Sequence, residues 1–131
     1  MQPGSKIEVI PKLYPNCEAI LMAPGPSLTK EVVEKVRSVR DRYVIIGVGD
    51  SYKIVDFLDE HYACDARWWN VHGEKINELR PGLSSWCHDD DGRKWGAKQV
   101  TGKGKAGLST DPKLIHHGSN SGYQTINLAY L

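Results

Sequence analysis

The stretch CEAILMAPGPSLTKEVVEKVRSVRDRYVIIGVGD, residues 17–50, decides the fold of this chain. It begins with a mostly apolar run at 17–23, which ends at the turn residues Pro24, Gly25 and Pro26. Apolar residues then recur at helical spacing over 29–40, and a second apolar run follows at 43–48. Continuous apolar runs on either side of an amphipathic helix are typical of parallel strands that are buried on both faces. The stretch therefore predicts a strand, a helix and a second strand.

The following residues repeat this alternation. Their pattern predicts a short helix at 51–58, a third strand at 61–64 and a helix at 66–79 that is interrupted at Gly73. Strands that alternate with helices reach their parallel neighbours through right-handed crossovers. We therefore predict an α/β fold, a Rossmann-like three-layer sandwich with a mostly parallel sheet.

The whole chain of 131 residues has the length of one domain. Residues 1–16 contain three prolines and are expected to form an irregular lead-in. Residues 80–112 are rich in Gly, Lys and Asp and are expected to form an insertion or lid, with short strands at 84–88 and 98–100. A strand at 113–117 and a helix from Gly122 follow, and Ser121 with Gln124 matches the S-x-x-Q capping box.

Composition and charge exclude several classes of function. Lys and Arg number 17 against 16 Asp and Glu, and this net charge of +1 gives no reason to expect a nucleic-acid partner. No apolar run approaches the ~18 residues that span a bilayer, and the first residues lack the apolar core of a signal peptide. The cysteines, Cys17, Cys64 and Cys87, are odd in number and widely spaced, which argues against a disulfide framework. We therefore expect a soluble, cytoplasmic protein without a membrane partner.

Two loops rich in Gly and Ser each lead from a predicted strand into a predicted helix: the first loop, residues 24–27, and the last loop, residues 117–121. If the final strand lies on the free side of the first strand, the strand order reverses there and both loops meet at one edge of the sheet. Free backbone N–H groups at two helix N-termini are suited to a phosphate. The candidate binding residues are Gly25, Ser27, Ser119, Asn120 and Ser121. The alternative is that they are only turn and cap residues.

Two aspartates, Asp50 and Asp65, follow predicted strands at the same edge. A carboxylate in this position can bind a ribose hydroxyl, hold a divalent cation or act as a base, and helix capping is the alternative. Asp65 is the candidate catalytic carboxylate because Arg67, Trp68 and Trp69 follow it closely. We expect one of these tryptophans in the core and the other to be available for stacking on a base or sugar.

The histidines and cysteines do not form a metal-binding pattern. No C-x-x-C pair occurs, and the adjacent residues Cys87 and His88, or His116 and His117, are poorly spaced for one ion, so we assign no metal ligands. His117 is the first residue of the last loop and is the candidate general acid–base or phosphate contact, with His116 as the alternative. No G-x-S-x-G motif supports a serine nucleophile.

Four segments in combination resemble a known family: AILMAPGPSL at 19–28, VIIGVGDSY at 44–52, YACD at 62–65 and HGSNSGYQTINLA at 117–129. They resemble a group of Rossmann-like proteins of unassigned function, many of them encoded by bacteriophages. That group is similar to bacterial CMP-sialic-acid-dependent sialyltransferases and to archaeal hydroxymethylpterin pyrophosphokinases, in which a G-P-S-L loop after the first strand contacts the nucleotide. The resemblance implies nucleotide contacts at Gly25, Pro26 and Ser27, and it matches residues 119–122 to the loop before the last helix.

The chain departs from this family in two places. Sialyltransferases of this type end the second strand with Asn, where this chain has Asp50. In the relatives the final helix is expected to lead into a further strand, so the resemblance implies either a fragment or a relative that is shortened at its carboxyl end. Apolar surface would then be exposed on the last strand and helix. We expect a two-fold homodimer to cover it, or segment 80–112 to fold back over it.

These expectations lead to one main functional hypothesis and two alternatives. The main hypothesis is the nucleotide-binding domain of a transferase, most like a glycosyltransferase that uses a nucleotide-sugar donor. The first alternative is a diphosphotransferase that uses ATP and Mg²⁺ held by the carboxylates. The second is a noncatalytic phage protein that binds a nucleotide or a protein partner. A phage-encoded chain would act in the host cytoplasm.

Overall fold

The computed structural model of the protein describes Tyr14 and residues 16–88, 90–103, 109, 114–116 and 121–130. Strands and helices alternate along these residues. The strands are β1 (Ala19–Met22), β2 (Val44–Val48), β3 (Glu60–Tyr62), β4 (Ser84–Cys87), β5 (Lys98–Gln99), β6 (Thr101–Lys103) and β7 (Leu114–His116). The α-helices are α1 (Lys30–Arg37), α2 (Ala66–Leu79) and α3 (Ser121–Tyr130), and 3₁₀ helices cover Arg40–Arg42, Gly49–Lys53 and Asp90–Trp95.

Five of these strands form one parallel sheet in the order β1-β2-β3-β4-β5. In this sheet Met22 of β1 lies opposite Gly47 of β2, and Val48 of β2 lies opposite Tyr62 of β3. Each strand therefore pairs with the one that precedes it in the chain. The predicted α/β class, with a Rossmann-like, mostly parallel sheet, is confirmed.

The position expected for the last strand is wrong. The sequence placed a strand at 113–117 on the free side of the first strand, but β7 pairs in parallel with β6 in a separate two-stranded sheet. β6 is the strand that precedes β7 in the chain, and pairing with it closes a shorter connection than a return to β1 would. Among the described strands, the order therefore does not reverse beside β1.

Side chains alternate between the two faces of the main sheet, and each face has its own core. One face packs against α1 and α2 and contains two clusters: Met22, Val33, Ile45 and Val55, and then Tyr52, Ala63, Trp69, Ile76, Cys87 and Ala97. The other face packs against α3 and contains Tyr62, Trp86, Val100, Ile115 and Leu128. The helices on both faces make the three layers that the sequence predicted.

The first two predicted helices are shorter than expected. Thr29 caps α1 by accepting a hydrogen bond from the N–H of Val32 at 3.3 Å, but α1 ends at Arg37 rather than at residue 40. The helix predicted at 51–58 is only the 3₁₀ helix Gly49–Lys53. The chain turns back after it because Asp59 accepts the N–H of Ile45 on β2 at 2.8 Å, which starts β3 early.

The helix α2 runs without interruption through Gly73, where the sequence predicted a break. Gly73 is buried in this helix, and a Cβ atom at this position would collide with the ring of Trp95. Trp95 ends the 3₁₀ helix Asp90–Trp95, which packs along α2. The glycine therefore serves helix packing, because it lets a large ring approach the helix backbone.

The segment at 80–112 contributes to the sheet itself. Both short strands expected in it are present as β4 and β5, and Trp86 of β4 lies opposite Lys98 of β5. The part from β4 to β5 is thus a component of the core. Within the described residues, no helix is long and apolar enough to cross a membrane.

Candidate functional site

The first loop and Asp50 lie side by side at the carboxyl edge of the sheet. Met22, the last residue of β1, pairs with Gly47, and Asp50 stands three residues after Gly47 in the chain. The loop at 24–27 therefore leaves the sheet next to the turn at Gly49 and Asp50. The carboxyl edge of adjacent parallel strands is where α/β proteins bind their ligands.

The first loop is an exposed turn that leads into α1. Residues 24–27 are all exposed, and the N–H of Leu28 donates to the carbonyl of Gly25 at 3.0 Å. A Cβ atom on Gly25 would have no neighbour within 4 Å, so this position faces open space. The backbone here is accessible to a ligand, and the beginning of α1 is the nearest source of unpaired N–H groups.

Asp50 is a half-exposed carboxylate held by three polar neighbours. Its Oδ1 accepts the indole Nε1–H of Trp68 at 2.7 Å and lies 3.6 Å from His72 Nε2. Its Oδ2 is 3.4 Å from Lys53 Nζ. Burial by itself raises the pKa of Asp50, but the Trp68 hydrogen bond and the electrostatic interactions with His72 and Lys53 outweigh it and leave the pKa below its usual value. Asp50 is therefore a fixed anion at neutral pH.

His72 connects Asp50 to the buried Tyr52. Its Nδ1 lies 2.9 Å from the Tyr52 hydroxyl, while its Nε2 faces Asp50. The 3.6 Å between Nε2 and Asp50 exceeds the length of a hydrogen bond, so Tyr52 is the hydrogen-bond partner of this ring. Burial lowers the pKa of His72 more than Asp50 raises it, so the imidazole is neutral at neutral pH. With Nδ1 bonded to Tyr52 and Nε2 facing Asp50, His72 is a positioning residue for Asp50.

His61 contacts the main chain of Gly49, the residue before Asp50. It is fully buried on β3, and its Nε2 lies 2.9 Å from the carbonyl oxygen of Gly49. A carbonyl only accepts, so Nε2 carries the proton, and no described residue hydrogen bonds to Nδ1. Burial lowers the pKa of His61 to about 4. Gly49 has a φ of +50°, a conformation that glycine adopts readily, and His61 holds its carbonyl in place.

The two neighbouring tryptophans have different places. Trp69 is fully buried and donates its Nε1–H to the carbonyl of Ala63 at 3.0 Å, which confirms the expectation that one tryptophan belongs to the core. Trp68 is half-buried and stacks on His72, with ring centroids 4.6 Å apart and planes at 23°. Its ring also lies 5.3 Å from the ring of His61. Stacking of Trp68 on a base or sugar stays a prediction, and its indole N–H is already bound to Asp50.

Asp65 caps α2. Its Oδ1 accepts the backbone N–H of Trp68 at 2.8 Å, in the geometry of a helix N-cap. Asp50 and Asp65 thus contact the same tryptophan, one at the indole and the other at the main chain. The capping alternative is observed for Asp65, and its catalytic role stays a prediction.

Several predicted residues lie outside the described part of the chain. His117, Ser119 and Asn120 of the last loop belong to this group, and Ser121 is the first residue of α3. The helix α3 contacts β1 and β2, the strands that carry the first loop and Asp50. Among the described residues, no three His, Cys, Asp or Glu side chains are grouped so as to hold a metal ion.

Sequence reasoning missed three members of this cluster: Tyr52, His61 and the positioning role of His72. A signal for His72 was present, since Trp68 and His72 stand four residues apart and so share one face of α2. His61 alternates with Glu60 and Tyr62 along β3, which places it beside Gly47 on the face that packs against α1 and α2. Nothing in the local sequence indicates that Tyr52 reaches across to α2.

Comparisons with protein-family models, with curated proteins and with solved structures gave no match. The function is therefore inferred from the geometry and chemistry of the site.

Proposed function

We propose that this chain is the nucleotide-binding domain of a transferase, most like a glycosyltransferase that uses a nucleotide-sugar donor. The observation that carries the proposal is the register of β1 and β2, which sets the first loop beside the ionised carboxylate of Asp50. A nucleoside phosphate has an anionic end and a ribose diol a few ångströms away, and these two features would match the two halves of this edge.

The carboxylate half suits a ribose. Oδ1 of Asp50 is fixed by Trp68, whereas the one polar group that the described residues bring to Oδ2 is the exposed ammonium of Lys53 at 3.4 Å. An exposed ion pair of this kind contributes little, roughly 0–1 kcal/mol, so a hydroxyl donor can replace it. Charge-assisted hydrogen bonds of a carboxylate to hydroxyl groups are among the stronger ones. An acidic residue that follows the second strand also binds ribose in dinucleotide-binding folds, although their strand order reverses beside the first strand and the order of the described strands here does not.

The loop half suits a phosphate. Gly25 presents accessible backbone, Ser27 offers a hydroxyl, and α1 begins directly after the loop with Thr29 as its cap. Backbone N–H groups and the positive end of the helix dipole favour an anion here. In a glycosyl transfer the bond between the sugar carbon and the phosphate oxygen breaks. These groups would then stabilise the nucleotide as it leaves with the electron pair.

Titration with CMP, UMP, ADP and ATP, each with and without Mg²⁺, tests the proposal by calorimetry and tryptophan fluorescence. We expect CMP or UMP to bind without Mg²⁺ and to change the fluorescence of Trp68, because its indole N–H is bonded to Asp50. Gly25→Val should abolish binding in a folded protein, since its side chain projects into the open space beside the loop. Asp50→Asn should weaken binding at least tenfold, because a hydrogen bond to a charged group contributes about 1.5–3 kcal/mol.

Asp41→Asn is the matched control for the charge change at Asp50. Asp41 is an exposed residue of the 3₁₀ helix before β2, at the opposite edge of the sheet, and its loss should leave affinity unchanged. Binding of ATP only in the presence of Mg²⁺ would instead favour diphosphate transfer. If no nucleotide binds, or if Gly25→Val binds as the wild type does, the proposal is overturned.

A further inference from the structure

A groove of about 270 Å³ lies between the 3₁₀ helix Gly49–Lys53 and α2. It is lined by Tyr52, Lys53, Lys75, Glu78 and Leu79. At the end of α2 the Nε–H of Arg80 donates to the carbonyl oxygens of Tyr52 at 3.0 Å and Val55 at 3.2 Å. These bonds fix the main chain of the 3₁₀ helix against the end of α2, so the groove does not depend on side chains alone.

Charge is distributed unevenly along the groove. Lys53 and Lys75 lie close enough to His72 for both ammonium groups to lower its pKa, after burial as the main cause. Lys75 has neither an ion pair nor a hydrogen bond to any described residue, so its charge is available to a ligand. Glu78 and Leu79 follow one turn later on α2, toward the amino edge of the sheet. The groove is therefore cationic near the carboxyl edge, with a carboxylate and an apolar side chain beyond.

Lys53 and Tyr52 connect the groove to the candidate site. The ammonium of Lys53 lies 3.4 Å from Asp50 Oδ2, and the hydroxyl of Tyr52 lies 2.9 Å from His72 Nδ1. A ligand in the groove would therefore lie next to the residues that hold Asp50. Because the ion pair between Lys53 and Asp50 is exposed and weak, Lys53 is able to turn toward an anion in the groove at little cost.

We propose that this groove binds a small hydroxylated anion, at a site separate from the first loop. Lys53 and Lys75 would hold the phosphate or carboxylate of this ligand, and Glu78 would accept hydrogen bonds from its hydroxyl groups.

Glycerol 3-phosphate is the probe for this inference, and glycerol is its neutral counterpart. Titration into ¹⁵N-labelled protein should shift the amide signals of Lys53, Lys75 and Glu78, whereas glycerol should shift none of them. Lys75→Ala should weaken binding about fivefold, as expected for one partly exposed charge pair, and added salt should weaken it further. Lys35→Ala is the matched control, because Lys35 is exposed on α1 and pairs only with Glu31, at 3.8 Å; it should leave affinity unchanged.

The outcome separates this inference from the proposed function. Gly25→Val should lose nucleotide binding but keep the glycerol 3-phosphate shifts in the groove. Shifts confined to residues 24–29 would place the anion at the first loop and overturn the groove assignment while nucleotide binding stands. Equal affinity in the Lys75→Ala and Lys35→Ala variants would also overturn it. If the probe binds the groove and no nucleotide binds anywhere, this inference stands and the proposed function is overturned.

Discussion

Replacing His61 with glutamine should remove much of the loss of stability on acidification. His61 is fully buried among the rings of Tyr52, Trp68 and Trp69. Protonation would put a charge into this environment and create an N–H at Nδ1, for which the described residues offer no acceptor. The side-chain amide of a glutamine at this position would still present an N–H to the Gly49 carbonyl, and it does not titrate in this range.

The size of the effect follows from the shift of the His61 pKa. Burial lowers this pKa to about 4 in the folded protein, against about 6.5 in the unfolded chain. The stabilisation is therefore complete above about pH 6.5 and is lost as the pH falls toward the folded value. Linkage gives a loss of about 2 kcal/mol between about pH 8 and about pH 5 from this histidine alone. Asp50, whose pKa is lowered from a much more acidic starting point, loses its contribution only at lower pH.

Urea unfolding of the wild type and of His61→Gln at the two pH values measures this difference. The variant is expected to be less stable at both, because it loses ring packing, but its free energy of unfolding should fall by about 2 kcal/mol less on acidification. Other titrating groups cancel in the comparison. An NMR titration of the wild-type imidazole checks the same pKa if the variant does not fold. Equal pH dependence in both proteins, or a His61 pKa near 6.5, would refute the reasoning.

Three further predictions concern packing, capping and assembly. Gly73→Ala should lower the free energy of unfolding by about 1–3 kcal/mol, because the new methyl group meets the ring of Trp95. Glu74→Ala on the exposed side of α2 should change it by less than about 0.5 kcal/mol, and equal effects of the two variants in denaturation would contradict the packing. Asp65→Asn should leave both the melting temperature and nucleotide affinity near wild type, since Asn caps the N–H of Trp68 as well as Asp does, and a selective loss of binding would restore Asp65 to a catalytic role. Light scattering after size exclusion should give twice the 14.6 kDa of one chain, because α3 exposes apolar side chains that a two-fold partner would cover; a monomer at micromolar concentrations would count against the dimer.

The first two strands were predictable because each is an uninterrupted apolar run followed within two residues by Pro or Gly. Such runs are typical of strands buried on both faces, and they can be read from the local sequence. The place of β7 was not predictable in the same way. A strand of three residues, Leu114–His116, carries almost no information about its partner, and the choice between β1 and β6 depends on contacts far apart in the chain.

The candidate site shows the same division. Asp50 was identified as a candidate because it follows a predicted strand, and ligands of α/β proteins bind at the carboxyl ends of the strands. The neighbours that hold its carboxylate come from two elements: Trp68 and His72 from α2, and Lys53 from the 3₁₀ helix that contains Asp50 itself. Their roles depend on how α2 is rotated against the 3₁₀ helix Gly49–Lys53, and that rotation is set by packing. For Asp65 the sequence allowed both capping and catalysis; the contact with the Trp68 main chain shows the cap, and the catalytic role stays a prediction.

The order of strands in the main sheet has a consequence for how the protein is made. Because β1 to β5 pair in the order of the sequence, each strand finds its partner already present when it leaves the ribosome. The α1 and α2 face can therefore assemble progressively. The opposite face cannot, because its core includes Ile115 and Leu128, which are synthesised after all five of these strands. Nascent chains stalled before α3 should therefore expose Tyr62 and Trp86, and this would make them clients for chaperones that bind apolar surfaces.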